Sequence, residues 1–185
     1  MPRPTFAPPW RFAVAVFVAL VAACTTVPTA PLESSADELS GRLALRVEPV
    51  GNEAARAVSA AFDLRGDSNA GTLGLSTPLG SMLAQARWSP AEVVLTTPRE
   101  TRRFASLDEL TREALGESVP IAAWFDWLRG RPWPGAPSEP VAPGAAGFRQ
   151  LGWRVDLGQL GDGTIVATRE TPAPPVTARI RLDRP

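Results

Sequence analysis

Few side chains in this 185-residue chain are able to perform covalent or acid–base chemistry. Histidine is absent, and Cys24 is the only cysteine. Without histidine, and with that cysteine otherwise engaged, Ser–His–Asp and Cys–His catalysis and the common transition-metal ligand sets are excluded. A pair of carboxylates can still hydrolyse a glycosidic bond when the two converge across a cleft at about 5–10 Å. Asp108, Glu109 and Asp126 are candidates, yet Asp108 and Glu109 sit where a helix is expected to begin, and acids there are favoured by the helix dipole. Capping or solvation is the simpler role. No glycine-rich phosphate-binding or dinucleotide-binding pattern occurs, so no cofactor is expected.

The one thiol has a telling context. Arg3 and Arg11 precede the apolar run "FAVAVFVALVAA" (12–23), which Cys24 follows directly. About a dozen apolar residues fall short of the roughly 20 that span a bilayer, and they end in small residues, as a cleaved export signal does. "LVAAC" resembles the lipobox of bacterial lipoproteins. That resemblance implies diacylglycerol on the Cys24 sulfur, cleavage before it, and acylation of the new N-terminus. The alternative is a plain signal followed by a free or buried thiol. A lone cysteine in an exported chain has no intramolecular disulfide partner, however, and acylation accounts for both its position and its solitude. Two or more acyl chains hold a protein firmly where one does so marginally. Thr25, in the place where many Gram-negative lipoproteins carry an inner-membrane retention Asp, implies the outer membrane.

The expected organisation is a removed signal at 1–23, a lipidated Pro-, Thr- and Ser-rich tether at 24–38, and a single domain over 39–185. Arg3 and Arg11 leave with the signal, so 17 of the 19 basic residues remain against 19 acidic ones. Near-neutrality argues against nucleic acid as a partner.

From Gly41 the pattern is that of half-buried strands. Leu43, Leu45 and Val47 alternate with Arg42, Ala44, Arg46 and Glu48, and Val58, Ala60, Phe62 and Leu64 repeat the period of two. "GTLGLS" and "SMLAQARW" flank Thr77-Pro78-Leu79-Gly80, where Pro pre-sets one backbone angle and Gly supplies the freedom a tight turn needs. "AEVVLTT" follows, and "GFRQLGWRVDLGQL", "TIVATRE" and "VTARIRL" read as strands near the C-terminus. Short strands with close turns pair antiparallel. Two helical segments separate the groups. Ser106 and Glu109 form a capping box ahead of Leu107, Leu110, Ala114 and Leu115, with Gly116 as the stop. Pro120 suits a first helical position, and Ile121, Trp124, Phe125 and Leu128 follow helical spacing up to Gly130. The second helix carries Trp124, Phe125 and Trp127, more aromatic surface than one contact stripe buries. It either closes the core of the sheet or lids an apolar cavity. The Pro-rich stretch 131–147 is longer than most connections in a compact domain.

In order and spacing behind the lipobox, "GLSTPLGS", "LDEL" to "ALG", "PIAAWFDWLRGRP" and "GFRQLGWRV" resemble the LolB family of outer-membrane lipoprotein receptors, from about residue 40 to about residue 169. The resemblance implies a mainly β fold with a short helical insert, an incomplete antiparallel β-barrel (half-barrel) covered by helices around an apolar cavity. It implies a monomer that accepts lipoproteins from a LolA-like periplasmic carrier and inserts them into the outer membrane without catalysis. Its partners would be that carrier, the acyl chains of the cargo and outer-membrane lipid. It also implies that Leu79, between Pro78 and Gly80, is the membrane-active leucine of a protruding loop. Apolar faces nominate Leu45, Phe62, Leu73, Leu75, Trp88, Trp124, Phe125 and Trp153 for the cavity, with no means of separating cavity wall from filled core.

Physical chemistry supports both features. An acyl chain of about 16 carbons exposes methylenes worth roughly 0.8 kcal/mol each, on the order of 13 kcal/mol in all, which only an enclosed apolar site offsets. A leucine at a turn tip gains at most about 1.5–3 kcal/mol on entering lipid. That is too little to anchor a protein but enough to orient one. Folding back onto the sheet is the alternative for Leu79, since single exposed apolar residues are common. The competing reading of the whole chain is a structural or partner-binding outer-membrane lipoprotein with a filled core.

Overall fold

The computed structural model describes residues 38–49, 51 and 54–183. The signal segment, Cys24 and most of the tether therefore lie outside the described residues. The period of two is realised directly in β1 (Leu39–Val47), where Leu43, Leu45 and Val47 are buried and Arg42, Ala44 and Arg46 face solvent. β2 (Arg56–Gly66) and β11 (Val176–Leu182) repeat it with Ala60, Phe62 and Leu64 and with Val176, Ala178 and Ile180. The remaining strands are β3 (Gly71–Ser76), β4 (Met82–Trp88), β5 (Val93–Thr96), β6 (Thr101–Phe104), β7 (Ser138–Pro140), β8 (Gly147–Gln150), β9 (Trp153–Asp156) and β10 (Thr164–Arg169).

Among the described residues, eleven strands join one sheet in the order β6-β5-β4-β3-β2-β1-β11-β10-β9-β8-β7. Every neighbouring pair is antiparallel. The first and last strands meet at its centre, Leu43 opposite Ile180. β6 and β7 form its two free edges, so the sheet is an incomplete, unclosed barrel.

Two helices, α1 (Leu107–Leu115) and α2 (Ile121–Trp127), carry the chain from one free edge to the other. The Ser106 half of the α1 capping box forms as the sequence predicts, while the Glu109 carboxylate reaches one residue further back, to Ala105 in place of Ser106. Ser106 Oγ accepts the Glu109 N–H at 3.1 Å, and Glu109 Oε2 accepts the Ala105 N–H at 2.7 Å. Gly116 ends the helix at φ +83°, a left-handed conformation that glycine adopts without strain. Pro120 differs from expectation by one position. It is the N-cap, because its ψ of 71° is not helical and helical geometry begins at Ile121.

α2 holds the two halves of the sheet together through its aromatic residues. Phe125 meets Trp88 of β4 edge-on at 6.0 Å, while Trp127 packs against Phe148 of β8 at 6.2 Å and Trp153 of β9 at 6.3 Å. Edge-to-face contacts of this kind add to the burial of large apolar area. Arg169, buried on β10, ties in the connection between the helices. It pairs with Glu117 at 2.5 Å, donates to the Ser118 carbonyl at 3.3 Å, and lies 5.6 Å from the Trp153 ring.

The Pro-rich stretch has a definite place. Gln150, buried on β8, accepts the Trp127 Nε1–H at 2.7 Å and the Trp133 N–H at 2.9 Å through its oxygen. Its amide nitrogen donates to the carbonyls of Trp133 and Ala136, each at 2.7 Å. One side chain thus fastens both α2 and the loop. The loop then supplies β7, whose Pro140 is tolerated because the strand is an edge.

Candidate functional site: an apolar cavity and an exposed leucine

A cavity of about 360 Å³ remains between the helices and the inner face of one half of the sheet, within the ~300–1,000 Å³ range of small-molecule sites. Leu43, Leu45, Leu73 and Ala86 form its sheet side, and Leu110, Leu115, Val119, Ile121 and Trp124 its helical side. Leu83, Ala84 and Leu95 line it along β4 and β5, and Thr97 lines it from the turn after β5. Two features of the sequence keep it open. Ala84 and Ala86 place small side chains on consecutive inward positions of β4, and two of the three aromatic residues of α2 are committed elsewhere, Phe125 against Trp88 and Trp127 against Phe148 and Trp153.

Among the described residues, the polar groups of the lining side chains are the hydroxyls of Thr97 and Thr111 and the indole N–H of Trp124. Both hydroxyls are engaged. Thr111 Oγ1 donates to the Asp108 carbonyl at 3.3 Å and accepts the Val119 N–H at 3.0 Å. Thr97 Oγ1 donates to the Glu100 carbonyl at 3.2 Å and accepts the N–H groups of Arg99 and Glu100 at 3.3 and 3.2 Å. An occupant therefore meets a wall that is almost entirely hydrocarbon. This chemistry suits an alkyl chain and does not suit a polar substrate.

The β3–β4 hairpin carries the second feature. Thr77 and Ser81 close a three-residue loop, with the Thr77 N–H donating to the Ser81 carbonyl at 2.8 Å and the Gly80 N–H to the Thr77 carbonyl at 2.9 Å. Gly80 takes φ +84°, the left-handed conformation that completes this loop type. Pro78, Leu79 and Gly80 are all exposed, and Leu79 is 95% exposed rather than folded back onto the sheet. Met82 and Leu83, 45% and 40% exposed, extend the apolar surface towards the strand.

Of the residues nominated from sequence, Leu45, Leu73, Leu75 and Trp124 line the cavity. Phe62, Trp88, Phe125 and Trp153 do not; they are buried in the packed core. Trp88 is held there by Phe125 and by donating its Nε1–H to the Asp67 carbonyl at 3.1 Å, and Trp153 packs in the other half of the sheet. Leu83, Leu95, Val119 and Ile121 were missed as cavity residues. The acids have structural partners: Asp108 accepts from Ser118 Oγ at 2.9 Å, Glu109 caps α1, and Asp126 pairs with Arg131 at 2.6 Å.

Comparison with known proteins covers the described residues. The family model described as "Outer membrane lipoprotein LolB" matches residues 36–183. The chain is similar to the Outer-membrane lipoprotein LolB of Bordetella petrii, 33% identical over 189 residues covering 95% of this chain and 94% of that protein. It is 32% identical to the protein of the same name from Bordetella bronchiseptica over 195 residues, 100% and 97% of the two chains. A shorter match, 42% over 88 residues, is found with its namesake from Cupriavidus metallidurans. A sheet left open at both edges, helices bridging it over an apolar cavity, and similarity along nearly the whole chain agree: the chain belongs to the LolB family.

Proposed function

We propose that this chain is a lipid-anchored receptor on the periplasmic face of the outer membrane, which accepts lipoproteins from a LolA-like carrier and passes their acyl chains into the bilayer. The observation that carries this reading is the cavity of about 360 Å³ whose wall is almost entirely hydrocarbon and whose two hydroxyls are already hydrogen-bonded. A structural lipoprotein would be expected to fill that space, since interiors pack to the density of organic crystals. Leu45, Leu73, Leu75 and Trp124 supply part of the wall against which an acyl chain lies.

Transfer runs on affinity alone. A chain leaves the carrier because it binds better here, and leaves this cavity because the bilayer solvates it better still. Cys24, acylated, holds the receptor at the membrane. Leu79, with Pro78 and Gly80 shaping its loop, enters the interface. Its gain of at most about 1.5–3 kcal/mol orients the receptor without trapping it.

The test is reconstituted transfer. The carrier is loaded with a radiolabelled lipoprotein, this protein or its Leu79→Glu variant is added, and label is followed into liposomes. The parent is expected to accept and deliver cargo, and Leu79→Glu to accept without delivering. A folded parent that takes nothing from the carrier would overturn the reading.

A further inference from the structure

Strand β4 presents two consecutive residues, Leu83 and Ala84, to the same cavity. Side chains along a regular strand alternate between faces, so one of these two belongs on the outer face. The pairing of β3 with β4 shows what intervenes. Leu75 pairs with Ala84, but the next residue of β3, Ser76, pairs with Met82, and Leu83 is left without a counterpart. Leu83 is the extra residue of a β-bulge, a feature that bends a strand and re-aims one side chain.

The re-aimed side chain has a particular position. Leu83 lines the cavity yet is 40% exposed, whereas Leu43, Leu73, Ala86 and Trp124, deeper in the same cavity, are buried. It therefore stands at the mouth. Across from the sheet, Ala114 and Leu115 near the end of α1 also line the cavity, exposed and half-buried respectively. In sequence Leu83 lies four residues beyond Leu79, with exposed Met82 between them, so apolar side chains recur from the loop tip to the cavity mouth. In a strand without the bulge Leu83 would face outward, and the inward place next to Ala84 would fall to Met82, one residue nearer the loop tip.

We propose that Leu83 is the sill over which an acyl chain passes between cavity and bilayer, placed there by the bulge so that the cavity opens on the Leu79 side of the sheet. This rests on the transfer reading and adds a route to it. A chain crossing the mouth loses wall contacts on one side before it gains lipid on the other. An apolar sill keeps part of the chain out of water during the crossing and so lowers the barrier in both directions.

The test uses the full mature chain, kept in solution by Cys24→Ala, with a fluorescent 16-carbon fatty acid as probe and vesicles of phosphatidylethanolamine and phosphatidylglycerol as acceptor. Equilibrium affinity, the rate of probe entry and the rate of release into vesicles are measured for the parent, Leu83→Gln and Leu83→Met. A polar sill should slow entry and release together by about tenfold, equivalent to about 1.4 kcal/mol at the crossing point, while affinity stays within about threefold. Leu83→Met should restore parental rates. Parental rates in Leu83→Gln, or weakened affinity with unchanged entry, would overturn the sill and leave Leu83 as ordinary cavity wall. Failure of the parent to bind the probe would instead remove the transfer reading itself. Should Leu83→Gln fail to fold, Leu83→Thr provides a polar sill on a strand-forming side chain.

Discussion

Replacing Gln150 by leucine keeps a similar shape and deletes every hydrogen bond this side chain makes. Four partners lose their contact: Trp127 Nε1–H, the Trp133 N–H, and the carbonyls of Trp133 and Ala136. They do not lose equally. Trp127 is 2% exposed, so its indole N–H would stay buried without an acceptor, at about 1–3 kcal/mol. Trp133 and Ala136 are only half-buried, and water can replace part of what is lost there, leaving about 0.5–1 kcal/mol for each of the three groups. The expected total is about 2.5–6 kcal/mol, a large fraction of the ~5–15 kcal/mol that holds a domain folded. Urea denaturation followed by tryptophan fluorescence should show the midpoint falling with an unchanged slope, since the surface exposed on unfolding is nearly the same. Limited proteolysis should cut first within 131–147, the segment that Gln150 fastens. The cavity lies in the other half of the sheet, so Gln150→Leu that is still folded should bind the fatty-acid probe as the parent does. A loss below about 1 kcal/mol would refute the view that this residue clamps the loop and α2.

Three further outcomes are expected. Ala84→Phe projects an aromatic ring into the cavity; probe affinity should drop by at least about tenfold while the thermal midpoint is held, because the ring fills space already present. A Cβ at Gly71 would stand 2.5 Å from the Arg65 carbonyl oxygen and 2.6 Å from Trp88 Cζ2, so Gly71→Ala should destabilise by about 1–3 kcal/mol in the same denaturation assay. The N–H groups of Ala70 and Asn69, at 2.9 and 2.6 Å, hold the Asp67 carboxyl below its ordinary value of 3.8. A depressed folded value means that the contribution is present above the unfolded value and is lost as pH falls through the folded one. The stability gap between the parent and Asp67→Ala, measured by thermal melts, should therefore be full above the ordinary value of 3.8 and shrink as pH falls below it.

Local chemistry along the chain determined a good deal by itself. The period of two in β1, β2 and β11 places their buried side chains, because adjacent side chains of a strand face opposite ways whatever lies beyond them. The α1 caps and the exposed Pro78-Leu79-Gly80 turn were equally legible, since both are settled by bonds within a few residues. β6 and β7 were not. Thr101–Phe104 carries two arginines and Ser138–Pro140 ends in proline, and each is a strand only because a neighbour offers its edge.

The division between cavity and core was decided by tertiary structure alone. Phe62 and Leu45 have the same inward periodicity on neighbouring strands, yet one packs in the core and the other faces open space. What distinguishes them is whether a side chain from a distant element stands opposite. Trp88 meets Phe125 of α2 and is filled core, while Ala84 and Ala86 meet nothing large and leave a void. The bulge at Leu83 belongs to the same class, because an extra residue in one strand exists only relative to the strand it pairs with. Sequence periodicity reports which face of an element avoids water. It carries no information on what fills the space beyond that face, which depends on residues far away along the chain.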